Sequence, residues 1–350
     1  MNSPSGIQPP LAWIFGLILA FSTGCQSVTP TLAPADWITS ITQPSNNREW
    51  SPDQQAVPFA RVSGRHYSIQ NIRNCNYLTP EDYIVNYYDR EILLDQIQSV
   101  DFIMVPFNET FKLAHTMLSF GLDDGSYLAV SVEIRKEKGE AFNPLKGLGR
   151  QFELMYVLSD ERDVIRLRTE HRDSDVYVYP TVATPAQAQS LFADVVQRIN
   201  KLAVEPEFYH SINNNCTTNL VGHVNEISTN RIPYSWKILV PGFSAEYAYE
   251  LGLLDNRIPF EDLSEIARVN ELAESYTETG DFSSHIRSRR HRLDRYLELQ
   301  NQREPVLNGP GLEFLQSNAM GRQRRNAGLD SSLRTLRTRF QKPAASTTLR

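Results

Sequence analysis

Cys216 is the residue of this sequence best placed to act as a nucleophile. It stands in Asn215-Cys216-Thr217-Thr218-Asn219, where an asparagine run ends and a helix is predicted to begin. The dipole of a helix start favours an anion, so we expect the pKa of this thiol to be lowered, and the thiolate is the reactive form. The first backbone N–H groups of the helix, supported by Asn215 and Thr217, could receive a developing oxyanion. This arrangement suits acyl transfer through a covalent intermediate.

A cysteine nucleophile needs a base, and His115 is the leading candidate. In the strand predicted for 111–121 it shares one face with Leu113 and Met117, where a polar ring requires a reason. The ordinary reason, a core histidine with satisfied hydrogen bonds, stays open beside the catalytic one. His223 follows Cys216 on the same predicted helix at about 10 Å, which is too far for direct proton transfer.

A predicted hairpin supplies a partner for the His115 ring. If Asp123-Asp124-Gly125 is a three-residue loop with Gly125 in the left-handed conformation, His115 lies opposite Glu133 on the same face. A carboxylate there could orient the imidazole and stabilise its charged form, as the third member of a triad. Ser131, two residues away on that face, is the substitute for Glu133. Alternatively, Glu133 forms an ion pair with a neighbouring basic residue on a solvated face.

The elements around these residues predict an α+β fold, in which an antiparallel sheet carries helices packed to one side. The best helix covers 184–203, because Thr184 can cap it, Pro185 suits its first position and Gln187 completes a capping box. Further helices are predicted from Cys216, at 244–254 and at 260–273. Alternating or β-branched segments predict strands at 59–62, 66–69, 101–107, 111–121, 128–135, 153–158, 163–168 and 175–179.

The N-terminus predicts export from a bacterial cell. Residues 9–21 are apolar and uncharged but too short to span a bilayer, which fits the core of a signal peptide. The run leads into Ser22-Thr23-Gly24-Cys25, which resembles the bacterial lipoprotein signal. That resemblance implies lipidation of Cys25 and, because Asp does not follow, an outer-membrane lipoprotein facing the periplasm. An ordinary cleaved signal and an uncleaved anchor are the alternatives.

Composition divides the rest of the chain into three parts. Residues 26–57 are rich in Ser, Thr, Pro, Gln and Asn and are predicted to form a flexible tether. Residues 58–286 are predicted to form the folded domain. Residues 287–350 form a basic tail, with 14 Lys and Arg against five Asp and Glu, and the rest of the chain is acidic. This tail could contact anionic lipid, or it could be solvated and partly disordered; nucleic acid is discounted because the protein is exported.

The two cysteines besides Cys25 allow one structural alternative. In an oxidising envelope, Cys75 and Cys216 could form a disulfide, which would remove the nucleophile. The sequence shows no metal-ligand spacing, so we expect neither a metal nor another cofactor.

Several motifs resemble, in order, the bacterial Lnb N-terminal periplasmic domain family. They run from His115 through SVEIRKEKGE, YVLSDERDVIRLR and VYVYP to NNNCTTN, and the resemblance covers roughly 60–290. That family is marked by a histidine and an NCT motif, which match His115 and Asn215-Cys216-Thr217. The order of histidine and cysteine is more distantly similar to circularly permuted papain-like enzymes related to NlpC/P60 peptidases. That likeness implies a core in which His115, Cys216 and Glu133 meet.

Together these features predict an envelope lipoprotein that acts as a cysteine hydrolase or acyltransferase on an amide or ester. His115 would deprotonate Cys216, and peptidoglycan or lipid is the expected substrate, reached from a membrane-anchored N-terminus. The alternative is a non-catalytic binding or scaffolding lipoprotein of the same fold, with Cys216 buried and unreactive. The sequence does not determine an oligomeric state.

Overall fold

The computed structural model describes residues 43–108, 112–140, 152–277 and 279–303. Those of the described residues that lie from Pro44 onward form one compact unit. Within the described residues, no helix combines the length and the apolar character needed to cross a membrane. The predicted signal peptide, the lipidation site Cys25 and residues 304–350 of the predicted tail lie outside the described residues.

The centre of the fold is an eight-stranded, mostly antiparallel sheet in the order β1-β2-β9-β8-β7-β6-β10, with β5 also paired to β2. A separate small ladder joins β3 to β4. The strands are β1 (Phe59–Ser63), β2 (His66–Arg73), β3 (Asn76–Tyr77), β4 (Tyr83–Ile84), β5 (Tyr87–Leu93), β6 (Ile97–Asn108), β7 (Leu113–Leu122), β8 (Tyr127–Arg135), β9 (Glu153–Asp160) and β10 (Tyr177–Pro180). Seven of these strands lie where the sequence predicts them. The strand predicted for 111–121 corresponds to β7, and residue 111 at its start is outside the described residues.

The helices follow mainly in the second half of the chain. They are α1 (Glu161–Thr169), α2 (Pro185–Val204), α3 (Cys216–Ile227), α4 (Trp236–Leu239), α5 (Ser244–Glu250), α6 (Phe260–Ala267), α7 (Asn270–Glu274), α8 (Phe282–Ile286) and α9 (Ser288–Arg303). The capping box predicted for α2 is present, with Thr184 accepting from the backbone of Gln187. The single helix predicted for 260–273 is interrupted, and the structure has α6 and α7 instead.

The strand predicted for 163–168 is wrong, because this segment lies in α1. The Asp160 side chain caps the helix by accepting from the Arg162 N–H. Most of α1 is buried, including both apolar and charged side chains, so its sequence lacks the polar face by which an exposed helix is recognised.

The prediction that the helices pack on one side of the sheet is also wrong, because both faces are covered. On β7, Leu118 and Phe120 pack against α2, while Met117, of the opposite parity, packs against α1 and α8. Successive strand residues point to opposite faces, so these two clusters lie on opposite sides of the sheet. The central strands are accordingly buried along nearly their whole length. The architecture remains α+β, with the sheet between two helical layers.

The predicted hairpin register is confirmed. Met117 pairs with Ser131, and Gly121 pairs with Tyr127. The loop closes through a hydrogen bond from the Gly125 N–H to the Leu122 carbonyl, and Gly125 has a φ of 85°. This register carries His115 and Glu133 to neighbouring positions at the far end of the two strands.

The compact unit extends beyond both predicted boundaries of the folded domain. On the N-terminal side, Trp50 is buried under the Arg135 guanidinium, and Asn46 donates to the Leu202 carbonyl on α2. On the C-terminal side, Arg287 is buried and binds Asp101 and Glu161. Residues 44–57 and the start of the predicted tail are therefore parts of the body.

Candidate active site

The start of α3 is fixed by its own side chains. Asn215 is the N-cap: its Oδ1 accepts from the Thr218 N–H at 2.9 Å, and its own N–H donates to Thr218 Oγ1 at 2.9 Å. The Asn215 amide nitrogen donates to the Ser211 carbonyl at 2.7 Å. Through these bonds Asn215 fixes the turn at which α3 begins. Cys216 is the first residue of α3, as predicted, and helix geometry leaves its own N–H and that of Thr217 without intrahelical acceptors.

Thr217 fastens this helix start to the sheet. Its hydroxyl lies 3.2 Å from that of Thr116 on β7, and both side chains are buried. The same oxygen lies 3.8 Å from Cys216 Sγ. The contact therefore holds the start of α3 against the strand that carries His115.

His115 is oriented by Ser131 and Glu133 together. Its Nε2 lies 2.7 Å from Ser131 Oγ and 3.3 Å from Glu133 Oε1, and Ser131 Oγ donates to that same carboxylate oxygen at 2.6 Å. Since the Ser131 proton goes to Glu133, the Ser131 oxygen accepts from Nε2–H. The other ring nitrogen, Nδ1, is then the one available to Cys216. The sequence offered Ser131 as a substitute for Glu133, but the structure joins both to the ring.

Cys216 and His115 shift each other's pKa in opposite directions. Burial alone would raise the pKa of the Cys216 thiol, but the hydrogen bond and charge of His115 lower it to about 7. Burial alone would lower the pKa of His115, but Glu133 and the thiol raise it to about 9. Thiolate and imidazolium therefore coexist between these two values. The Cys216 side chain is buried and that of His115 is 16% exposed, so the thiol lies out of bulk water and the ring is largely screened from it.

Arg168 is a member of this site that sequence reasoning missed. It lies on α1, is buried, donates from Nη2 to Glu133 Oε1 at 3.0 Å and donates from Nη1 to the Val164 carbonyl at 2.9 Å. Burial alone would raise the pKa of Glu133, but His115, then Arg168 and Ser131, hold it well below its usual value. Arg168 was missed because the sequence predicts a strand for this segment. A helix prediction would have indicated a buried Arg that could pair with Glu133.

Tyr209 was also missed and faces the same charges. Burial raises the pKa of its phenol, and the charges of Cys216 and Glu133 raise it further, so the hydroxyl stays protonated. No motif in the sequence marks this residue.

The other histidines and Cys75 are elsewhere. His223 bonds to Tyr156 at 2.7 Å and to Asp194 at 2.5 Å, and His210 accepts from the Ile212 N–H within its own turn. Cys75 and Cys216 are both free thiols, so the disulfide alternative is wrong. Cys75 is buried beside Asp163, which accepts from its N–H, and burial raises the pKa of its thiol to about 11. The pKa of Cys75 is thus shifted in the opposite direction from that of Cys216.

Comparison with known proteins now adds the family. The model of the Lnb N-terminal periplasmic domain matches residues 83–242. This region belongs to that family. The matched range contains His115, Ser131, Glu133, Arg168 and Cys216, so the whole site lies within the Lnb domain. A periplasmic domain indicates a protein of the cell envelope. No curated protein and no solved structure matches the chain.

An apolar cavity of about 170 Å³ lies along α3. One of its walls is a stripe of α3 that runs from Thr217 through Leu220 and Val224 to Ile227. At about 1.5 Å per residue, this stripe is about 15 Å long. Among the described residues that line the cavity, Lys237 is the one with a charged side chain. The cavity therefore begins against the residue that follows Cys216 and is suited to hydrocarbon.

The described part of the Lnb domain gives no indication of a metal centre. No group of three or more His, Cys, Asp or Glu side chains within the described ranges is arranged to hold an ion.

Proposed function

We propose that this envelope protein is a cysteine acyl-transfer enzyme, a hydrolase or an acyltransferase, in which Cys216 is the nucleophile and His115 the base. The observation that carries the proposal is geometric: Cys216, the first residue of α3, is hydrogen-bonded to the His115 ring, and Ser131 and Glu133 hold that ring through Nε2. The opposed pKa shifts of the thiol and the imidazole agree with it. Ser131, Glu133 and Arg168 hold the ring in place. An unreactive thiol in a scaffolding protein needs neither the imidazole nor the hydrogen-bonded chain behind it.

In the proposed reaction, His115 carries out each proton transfer. His115 takes the thiol proton of Cys216, and the thiolate sulfur forms a bond to the substrate carbonyl carbon. The resulting oxyanion faces the N–H groups at the start of α3. When the carbon–leaving-group bond breaks, His115 returns its proton to the departing alkoxide or amine, leaving a thioester on Cys216. Water or an acceptor then attacks this thioester with His115 as the base, and the thiol is restored.

The cavity supports an acyl group with a hydrocarbon chain as the substrate. Its lining is apolar from Thr217 to Ile227, so a hydrocarbon chain gains from leaving water there, whereas a peptide would leave its polar groups unpaired. Of the two substrate classes expected from the sequence, lipid therefore fits better than peptidoglycan. A lipid anchor on Cys25 would hold the domain near such a substrate at the outer membrane.

The order of the catalytic residues adds support from fold-level likeness. A histidine on an early strand meets a cysteine at the start of a later helix, which resembles the permuted papain-like arrangement of NlpC/P60-type enzymes. We include such a core in the proposal.

The test is to detect the acyl-enzyme. The full chain is incubated with phospholipid vesicles, and intact-mass spectrometry followed by peptide mapping searches for an acyl group on Cys216. Cys216→Ala should abolish the adduct, and the matched variant Cys75→Ala, which removes the other buried thiol, should retain it. If Cys216 labels slowly with iodoacetamide at pH 7.5 and acquires no acyl group, the protein is the non-catalytic binding module.

A further inference from the structure

The segment that closes one side of the cavity also has an outward face. Ile232, Lys237 and Ile238 line the cavity. Between and beside them, Tyr234 and Trp236 point away and are 82% and 57% exposed. Large aromatic side chains with this exposure are unusual on a protein surface that contacts only water.

Further exposed apolar residues surround the same cavity. Leu251 and Val182 both line it and remain exposed, and Leu239 is exposed on α4. Tyr247, another lining residue, donates from its hydroxyl to the Pro233 carbonyl and so joins α5 to the outward segment. We name Val182, Tyr234, Trp236, Leu239 and Leu251 the rim.

The chemistry of the rim fits the boundary between lipid headgroups and hydrocarbon. Trp and Tyr have an apolar ring with a polar atom, and they concentrate at that depth in membranes. Lys237 can reach headgroups from the same segment, although it also binds Glu250 at 2.7 Å. Five side chains are too few for a stable protein interface, which buries about 800 Å² on each partner. An apolar segment can insert into a bilayer with a smaller surface.

We infer that the rim docks on a phospholipid bilayer and places the cavity opening against the lipid. A hydrocarbon chain then passes from the bilayer toward Thr217 and Cys216 without crossing water. The role of docking, which is to deliver a chain to Cys216, rests on the proposed acyl-transfer function. Docking itself can be measured without any reaction.

The first test measures the depth of Trp236. The full chain is bound to vesicles whose phospholipids carry bromine on their acyl chains, and the fluorescence of Trp236→Phe is subtracted from that of the wild type. Bromine should quench the Trp236 emission. The double variant Tyr234→Ser/Leu239→Ser should lose most of this quenching. Leu78→Ser/Ile84→Ser, which alters exposed apolar residues at the β3–β4 ladder and directly after β3, should retain it.

The second test separates docking from chemistry. Tyr234→Ser/Leu239→Ser should slow acylation of Cys216 from vesicles by about tenfold or more, because the lost burial exceeds the ~1.4 kcal/mol that a factor of ten represents. Its rates of iodoacetamide labelling and of acylation by a soluble short-chain thioester should be unchanged. Cys216→Ala should be quenched like the wild type.

Two outcomes overturn the inference. One is Trp236 emission that brominated lipid leaves unchanged. The other is a dimer, detected by sedimentation, that the rim substitutions dissociate, because the rim would then be an interface between two copies. If Trp236 is quenched and Cys216 never becomes acylated, the docking surface stands and the proposed function fails.

Discussion

Replacing Glu133 by Gln removes the charge that keeps His115 protonated. Glu133 is the largest influence raising the pKa of His115, which reaches about 9 against burial and from a reference of 6.5. That difference corresponds to about 3 kcal/mol. In Glu133→Gln, burial prevails and the ring is neutral at pH 7, so the Cys216 thiolate loses its counter-charge. If the pKa of Cys216 returns from about 7 to its reference of 9.0, the thiolate fraction at pH 7 falls from about one half to about one hundredth.

The assay is the pH dependence of iodoacetamide labelling at Cys216, followed by mass spectrometry of its peptide. Glu133→Gln should label about tenfold to fiftyfold more slowly than the wild type at pH 7, and the difference should vanish above pH 9 because both thiols are then ionised. Glu137→Gln is the matched control, since Glu137 follows β8 on the exposed side and pairs with Arg48. Equal labelling of wild type and Glu133→Gln at pH 7 would refute the electrostatic chain from Glu133 through His115 to Cys216.

Three further predictions follow from the same site. Acyl transfer should rise through about pH 7 as Cys216 ionises and fall through about pH 9 as His115 loses the proton for the leaving group, whereas iodoacetamide labelling should rise and stay high. Arg168→Met should lower the free energy of unfolding in urea by about 3 kcal/mol, because Glu133 loses a buried partner. Arg166→Met, on the more exposed side of α1, is the control and should lower that free energy by less than about 1 kcal/mol. Leu220→Trp should fill the cavity beside Thr217 and block acylation by long chains in the mass assay, while short thioesters still react; equal inhibition of both would show that the cavity does not hold the chain.

The sequence was sufficient where a single local geometry determines a long-range contact. Gly125 determined the loop, the loop determined the register of β7 and β8, and the register brought Glu133 to His115. The start of α3 was equally predictable, because Asn215 is a strong capping residue and the residues after it have helical spacing. Both predictions use only residues within a few positions of the feature.

What the sequence did not show depends on burial of the sheet on both faces. A half-buried strand alternates apolar and polar residues, but β7, β8 and β9 are apolar or small at both parities, which is the pattern of a strand between two layers. That pattern predicts a second helical layer on the side of the sheet that Met117 faces, and it makes 163–168 a candidate helix of this layer. Arg168 follows from that step, since a buried cation on such a helix needs a buried carboxylate.

The structure gives each residue of Asn215-Cys216-Thr217 a separate task, which explains why this short run can mark a reactive site. The amide nitrogen and oxygen of Asn215 both form hydrogen bonds within the turn, so the helix begins at one fixed residue. Cys216 therefore lies at the positive end of the helix dipole and interacts with the His115 ring, and the two favour the same charge state of the thiol. Thr217 ties that helix to β7 and forms the end of the cavity. A change at either flanking position should thus alter Cys216 reactivity without touching its sulfur, and Asn215→Ala, measured by iodoacetamide labelling at pH 7, is the simplest case.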